Sequence, residues 1–213
     1  MRAIDPDNIP NVWRGIAGNA RARAPVVPTG YAALDDALAG GWPTGELIEL
    51  LTQHDGIGEL GLLLPLMRAL KQECSENIVL WINVPHELNA VALIQHGREP
   101  ASHWYARNLN DRDAAYCIEA GVRSRACAMI VGWLPRTSTT QLRRIKLGCA
   151  ETRTICVLFR PNAVRACPSP AGLRAALATH DSHLRIEVFK QRALQPRVVD
   201  VSLQPSSDRA HVL

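Results

Sequence analysis

Four short, nearly continuous apolar runs, at residues 46–51, 78–83, 127–131 and 155–159, alternate with helical patterns along this chain. A strand that is apolar on both faces must be covered on both faces. The arrangement that does this is a parallel sheet with helices on each side. The helical patterns fall at 31–39, 59–72, 88–96, 111–122, 138–149 and 171–178. The second carries Pro65 and is expected to bend or break there. The fourth opens with Asp111 and Asp113, where the helix dipole favours negative charge. The fifth opens with Ser138-Thr139-Thr140-Gln141, a capping box. Residues 104–106 predict a further short strand. Two alternating segments, 184–190 and 198–203, predict an antiparallel hairpin at a sheet edge. The expected fold is therefore α/β, a mostly parallel sheet flanked by helices with a C-terminal antiparallel hairpin.

A length of 213 residues suits one domain. The expected organisation is a surface leader over 1–28, with Trp13 and Ile16 as anchors, a core over 29–204 and a flexible polar tail over 205–213. The longest apolar stretch, 60–70, is interrupted by Pro65 and Arg68. It falls short of the ~20 residues that span a bilayer, so no membrane segment is expected. The first residues lack an apolar signal core, which predicts a cytoplasmic protein. Cys74, Cys117, Cys127, Cys149, Cys156 and Cys167 show no Cys-x-x-Cys spacing, and most lie in apolar runs. They read as reduced core thiols; a disulfide framework is the alternative.

Charge is distributed unevenly. Residues 1–97 hold 6 basic and 11 acidic side chains, while residues 98–213 hold 18 basic and 9 acidic. A basic half points to an anionic partner, with nucleic acid first and an acidic protein second. Solvated faces written in arginine are the competing explanation, since 21 of the 24 basic residues are Arg. The basic candidates for DNA or partner contact are Arg136, Arg143, Arg144, Lys146 and Arg153 around one helix, and Lys190, Arg192 and Arg197 at the final hairpin.

The first strand–loop–helix unit stands where a phosphate-binding loop would stand. Such a loop needs glycines, a lysine for the outer phosphates and Ser or Thr for magnesium. Here Gln53-His54-Asp55-Gly56-Ile57-Gly58-Glu59 has the glycines only. Leu60 follows Glu59, and the chain has no lysine before Lys71. Asp55 and Glu59 place negative charge where a phosphate would go, and like charges repel. Other constellations are thin. His54 beside Asp55 reads as polar loop. His180 and His183 around Asp181 lack a third metal ligand. No metal site, cofactor or catalytic residue is expected.

The segment Thr29-Gly30-Tyr31-Ala32-Ala33-Leu34-Asp35-Asp36-Ala37-Leu38, followed by Gly40-Gly41-Trp42-Pro43-Thr44-Gly45-Glu46-Leu47-Ile48-Glu49-Leu50, resembles the start of the core in RecA-type recombinases. With Gly56-Ile57-Gly58-Glu59-Leu60 and the Leu-rich helix beyond, it is similar to the ImuA family, RecA-like proteins associated with translesion synthesis. The related cell-division inhibitors of the SulA family share this degenerate core. The resemblance covers roughly residues 28–203. It implies a P-loop NTPase-type core of the RecA kind.

The departures are in the catalytic parts. Pro85 falls at the place of the catalytic glutamate, with Glu87 near it. Gly132 stands where the Walker B aspartate should close the strand. Only Trp133-Leu134-Pro135-Arg136-Thr137 replaces the first DNA-binding loop, and residues 162–170 replace the second. The resemblance thus implies a non-catalytic adaptor in the SOS response to DNA damage, serving error-prone translesion synthesis and mutagenesis. Its implied partners are an ImuB-like protein, an error-prone C-family DNA polymerase and RecA itself; direct DNA contact is a candidate role of the basic residues alone. The alternative is a SulA-like inhibitor that binds the tubulin-like division protein. A fold does not carry its function with it.

Overall fold

The structure, a computed structural model, describes residues 25–73, 78–88, 93–94, 100–191 and 194–203. The leader's Trp13 and Ile16, the helix expected at 88–96 for all but a few residues, Arg192, and the tail lie outside the described residues. In chain order the elements are β1 (Val26–Val27), α1 (Ala32–Ala37), β2 (Trp42–Pro43), β3 (Leu47–Thr52), α2 (Leu64–Glu73), β4 (Ile78–Ile82) and β5 (His103–Ala106). They continue with α3 (Asp111–Ser124), β6 (Cys127–Trp133), α4 (Thr139–Thr152), β7 (Ile155–Pro161), β8 (Leu173–His180), β9 (His183–Gln191) and β10 (Arg197–Val201).

Eight strands form one sheet in the order β10-β9-β8-β3-β7-β6-β4-β5. The six from β8 to β5 are mutually parallel. β9 runs antiparallel to both of its neighbours. The chain is therefore α/β, with a mostly parallel sheet flanked by helices and an antiparallel C-terminal hairpin. A small ladder, β1 with β2, stands apart from it.

Alternation along the strands builds two cores. Ile48, Leu50, Trp81, Val131 and Phe159 point to one face, where Leu62, Leu66 and Met67 of the α2 region cover them. Leu47, Ile130, Cys156 and Leu158 point to the other, under Ile118 and Val122 of α3 and Leu142 and Ile145 of α4. Every residue of β3 is buried, as its continuous apolar run predicts. Burying one such large side chain contributes ~1.5–3 kcal/mol. Gly132 lies inside β6, and a Cβ there would stand 3.0 Å from Ile118 Cδ1. The position lacks a side chain because α3 sits directly on it.

Two expectations need correction. Residues 171–178 are not a helix: β8 occupies Leu173–His180. Ala175, Ala176 and Ala178 with Leu173 and Leu177 at i, i+4 favour a helix locally. The free edge of β3 and the buried side chains at 173, 175 and 177 override that preference. The helix expected over 59–72 is interrupted just before Pro65, as the proline predicts. A 3-10 turn spans Glu59–Leu62, and α2 starts at Leu64, so Pro65 sits in its first turn, where no backbone N–H is needed. The antiparallel region is also larger than one hairpin, because β8 joins β9 through a two-residue turn at Asp181 and Ser182.

One charged group lies at the centre. Glu49 on β3 is fully buried between two arginines. Arg160 of β7 donates Nη1–H to its Oε1 at 2.9 Å, and Arg174 of β8 donates Nε–H to its Oε2 at 2.7 Å. Ser169 Oγ donates to Oε1 as well. Arg174 also reaches the carbonyls of Val164, Arg165 and Cys167, which fixes the chain between β7 and β8. Removing one partner of a buried ionic group costs about 3–5 kcal/mol, since it strands the others. The variant Glu49→Gln is expected to lose stability of about that size by chemical denaturation.

Candidate functional site

Thr52 ends β3 at the carboxyl edge of the sheet, and the glycine loop follows. Gln53, His54 and Asp55 are exposed. Gly56 and Gly58 hold φ of 78° and 91°, the left-handed region that side chains avoid. The loop's backbone turns inward on the chain's own groups. Gly56 N–H donates to Glu59 Oε1 at 3.2 Å, and Glu59 is buried. A Cβ on Gly58 would stand 2.5 Å from Leu203 Cδ1, and Gly61 also meets Leu203. The small residues receive the end of the C-terminal strand segment, and the carboxylate takes an N–H that an anion would otherwise seek.

The segment ahead of the loop is tied to it. Thr29 N–H donates to Asp35 Oδ1 at 2.6 Å, and Tyr31 O–H donates to Gly61 O at 3.0 Å. The residues that carried the sequence resemblance thus clamp α1 against the start of α2. At the end of β4, Asn83 exchanges two hydrogen bonds with the backbone of Leu109. Glu87 is exposed and faces Arg107 at 3.6 Å. Both positions near the expected glutamate hold loops or surface.

The basic candidates do not gather into one patch. Arg136 pairs with Asp111 at 3.1 Å, and Arg144 pairs with Glu119 at 2.8 Å. Arg143 is exposed on the outer side of α4. Arg153 caps the far end of that helix with φ of 62°. Lys146 lies on another side of α4, donating to Pro170 O and facing Glu46 at 3.5 Å. Lys190 donates to Ser169 O, so two lysines 44 positions apart in the chain converge on adjacent carbonyls. Burial, then Lys146 and Arg174, hold the Lys190 ammonium below the usual lysine range. Arg197 reaches Asp36 O of α1, on the opposite face of the sheet from Lys190. The basic cluster expected at the hairpin is therefore divided by the sheet.

Sequence reasoning missed a cleft of about 480 Å³ at the carboxyl edge. Gln53, His54 and Ile57 form one wall, Asn162 and Arg165 another, and Ala176 and Ala178 of β8 its floor, with Arg185, Glu187 and Val198 beyond. In open α/β sheets, ligands sit outside the carboxyl ends of the strands. Arg165 makes a two-pronged pair with Glu187, Nη1 to Oε2 at 2.6 Å, and lies over the Phe189 ring. Arg185 pairs likewise with Asp200. The arginine and glutamate signals were present in the sequence, but their pairing depends on the strand at 173–180.

No protein-family model and no curated protein matches this chain. Among the described residues, no group of three or more His, Cys, Asp or Glu stands together to hold a metal, and no helix is long and apolar enough to cross a membrane. Five of the six cysteines are described, and all five are free thiols. The contact with Cys149, with burial, pushes the Cys156 thiol well up, which keeps it unreactive.

The hydrogen bonds from Arg165 hold the Glu187 carboxyl below the usual carboxylate range. A carboxyl with a depressed pKa contributes stability above its unfolded pKa and loses it as pH falls through the folded value. The pair is partly exposed, so the effect is modest. Glu187→Gln is expected to flatten the acid side of the stability–pH curve while lowering stability at neutral pH, measured by denaturation from pH 7 downward.

Proposed function

We propose that this chain is a RecA-like core without ATPase machinery, acting as a non-catalytic adaptor in SOS-induced, error-prone translesion DNA synthesis. The observation that carries this reading is the state of the glycine loop. Its Gly56 N–H is taken by the Glu59 carboxylate, and Leu203 lies on Gly58 and Gly61. The place that a nucleotide's phosphates would need is used for internal packing. A chain that spends its loop in this way works by binding partners rather than by making or breaking bonds.

The finer RecA-like assignment rests on the segment 29–50. It is supported by the position of β3 in mid-sheet, between β7 and β8, with the loop at its carboxyl end. The partners implied are an ImuB-like protein, an error-prone C-family polymerase and RecA. Arg143 is a basic candidate placed to meet an anionic surface, being exposed and outside any ion pair among the described residues.

Deleting the coding sequence from its host is expected to abolish the rise in mutation frequency that follows DNA damage. Restoring it with Arg143→Glu is expected to give only part of that rise. Unchanged damage-induced mutagenesis in the deletion strain contradicts the adaptor reading. Filamentation on overexpression, with the division protein recovered in a pull-down, assigns the chain to the SulA-like alternative.

A further inference from the structure

We propose that the carboxyl-edge cleft binds an extended, uncharged peptide segment of a protein partner, added as a strand beside β8 between Ala176 and His180. β8 pairs with β3 only as far as Ala176, against Leu51. It then runs to His180 with β9 on its other side alone. Over those last residues the edge of β8 has no strand beside it among the described residues. Such an edge offers a row of backbone donors and acceptors, the template on which extended peptides add.

The cleft beside this edge has the composition for a peptide. Its volume, about 480 Å³, lies within the ~300–1,000 Å³ of ordinary ligand sites. Ala176 and Ala178 leave room above the sheet for an incoming side chain. Two carboxamides, Gln53 and Asn162, line the walls. A carboxamide beside a strand edge complements peptide amides.

Charge argues against a phosphate ligand. The guanidinium groups of Arg165 and Arg185 are each held by a carboxylate, Glu187 and Asp200. The cleft therefore presents paired charge to its occupant. An uncharged chain enters without disturbing these pairs, whereas a nucleotide or nucleic-acid backbone would compete with both carboxylates. This site lies apart from Arg143 and does not depend on the translesion reading. Failure of the mutagenesis experiment leaves it standing, and its own failure leaves that experiment untouched.

The test is a titration of the full chain, labelled with nitrogen-15, with the blocked tetrapeptide Ac-Val-Thr-Val-Thr-NH2, followed by amide chemical shifts. The expected result is a saturable shift confined to Gln53, His54, Asn162 and residues 176–180. Ala178→Leu, which fills the floor, and Asn162→Leu, which removes a wall carboxamide, are each expected to bind about tenfold more weakly, roughly 1.4 kcal/mol. Their remaining amide spectra should be unchanged, showing a folded chain. The proposal is overturned by the absence of any shift at about 10 mM peptide, tenfold above a weak millimolar site. Equal affinity in both variants overturns it too, as do shifts at these residues with ATP but not with peptide.

Discussion

The buried carboxylate of Glu49 is the constraint on which the middle of this molecule depends. It sits on the strand between β7 and β8 and, among the described residues, is the only acid paired with the two arginines beside it, Arg160 and Arg174. Desolvating such a group is costly, and only good geometry with several hydrogen bonds offsets it. The cluster supplies both. It also does what apolar packing alone would not. Through Arg174 it holds three carbonyls of the 162–172 connection, and through Arg160 it holds Leu134 O beyond β6. The connections leaving β6 and β7 at the carboxyl edge are thereby set by one side chain on β3.

From that arrangement the rest of the edge follows. The fixed connection presents Asn162 and Arg165 across from the glycine loop, and Arg165 in turn holds Glu187 and covers Phe189. A register shift opposite Arg174 and Ala175 lets Phe189 and Lys190 both serve this face, one under the arginines and the other on Ser169 O. The loop itself is stabilised from the opposite direction, by Glu59, Tyr31 and Leu203. Ordered elements thus surround a loop whose glycines serve packing. That combination, a well-braced carboxyl edge around an internally occupied loop, is why we read the chain as a binding protein.

Much of this was legible in the sequence where the signal was local. Continuous apolar runs gave β3, β4, β6 and β7, and the capping box at Ser138 opens α4 with both of its hydrogen bonds. The loop's glycines, acids and missing lysine were legible, but not that Glu59 turns back onto Gly56 N–H. The strand at 173–180 was not legible, since its alanines favour a helix and only the neighbouring edge of β3 decides otherwise. The Glu49 cluster was hidden for the same reason: a lone glutamate in an apolar run demands partners, but Arg160 and Arg174 are 111 and 125 positions away. The basic residues misled by proximity in sequence. Lys190 and Arg197 are separated by the thickness of the sheet, while Lys146 and Lys190 meet.

The central proposal is that the glycine loop, occupied by the chain's own Glu59 and Leu203, does not serve as a nucleotide site. Isothermal titration of the full chain with ATP and magnesium tests it most directly. The account predicts no saturable heat at millimolar nucleotide. Saturable, magnesium-dependent binding that is lost when Gly56 or Gly58 is replaced would contradict it.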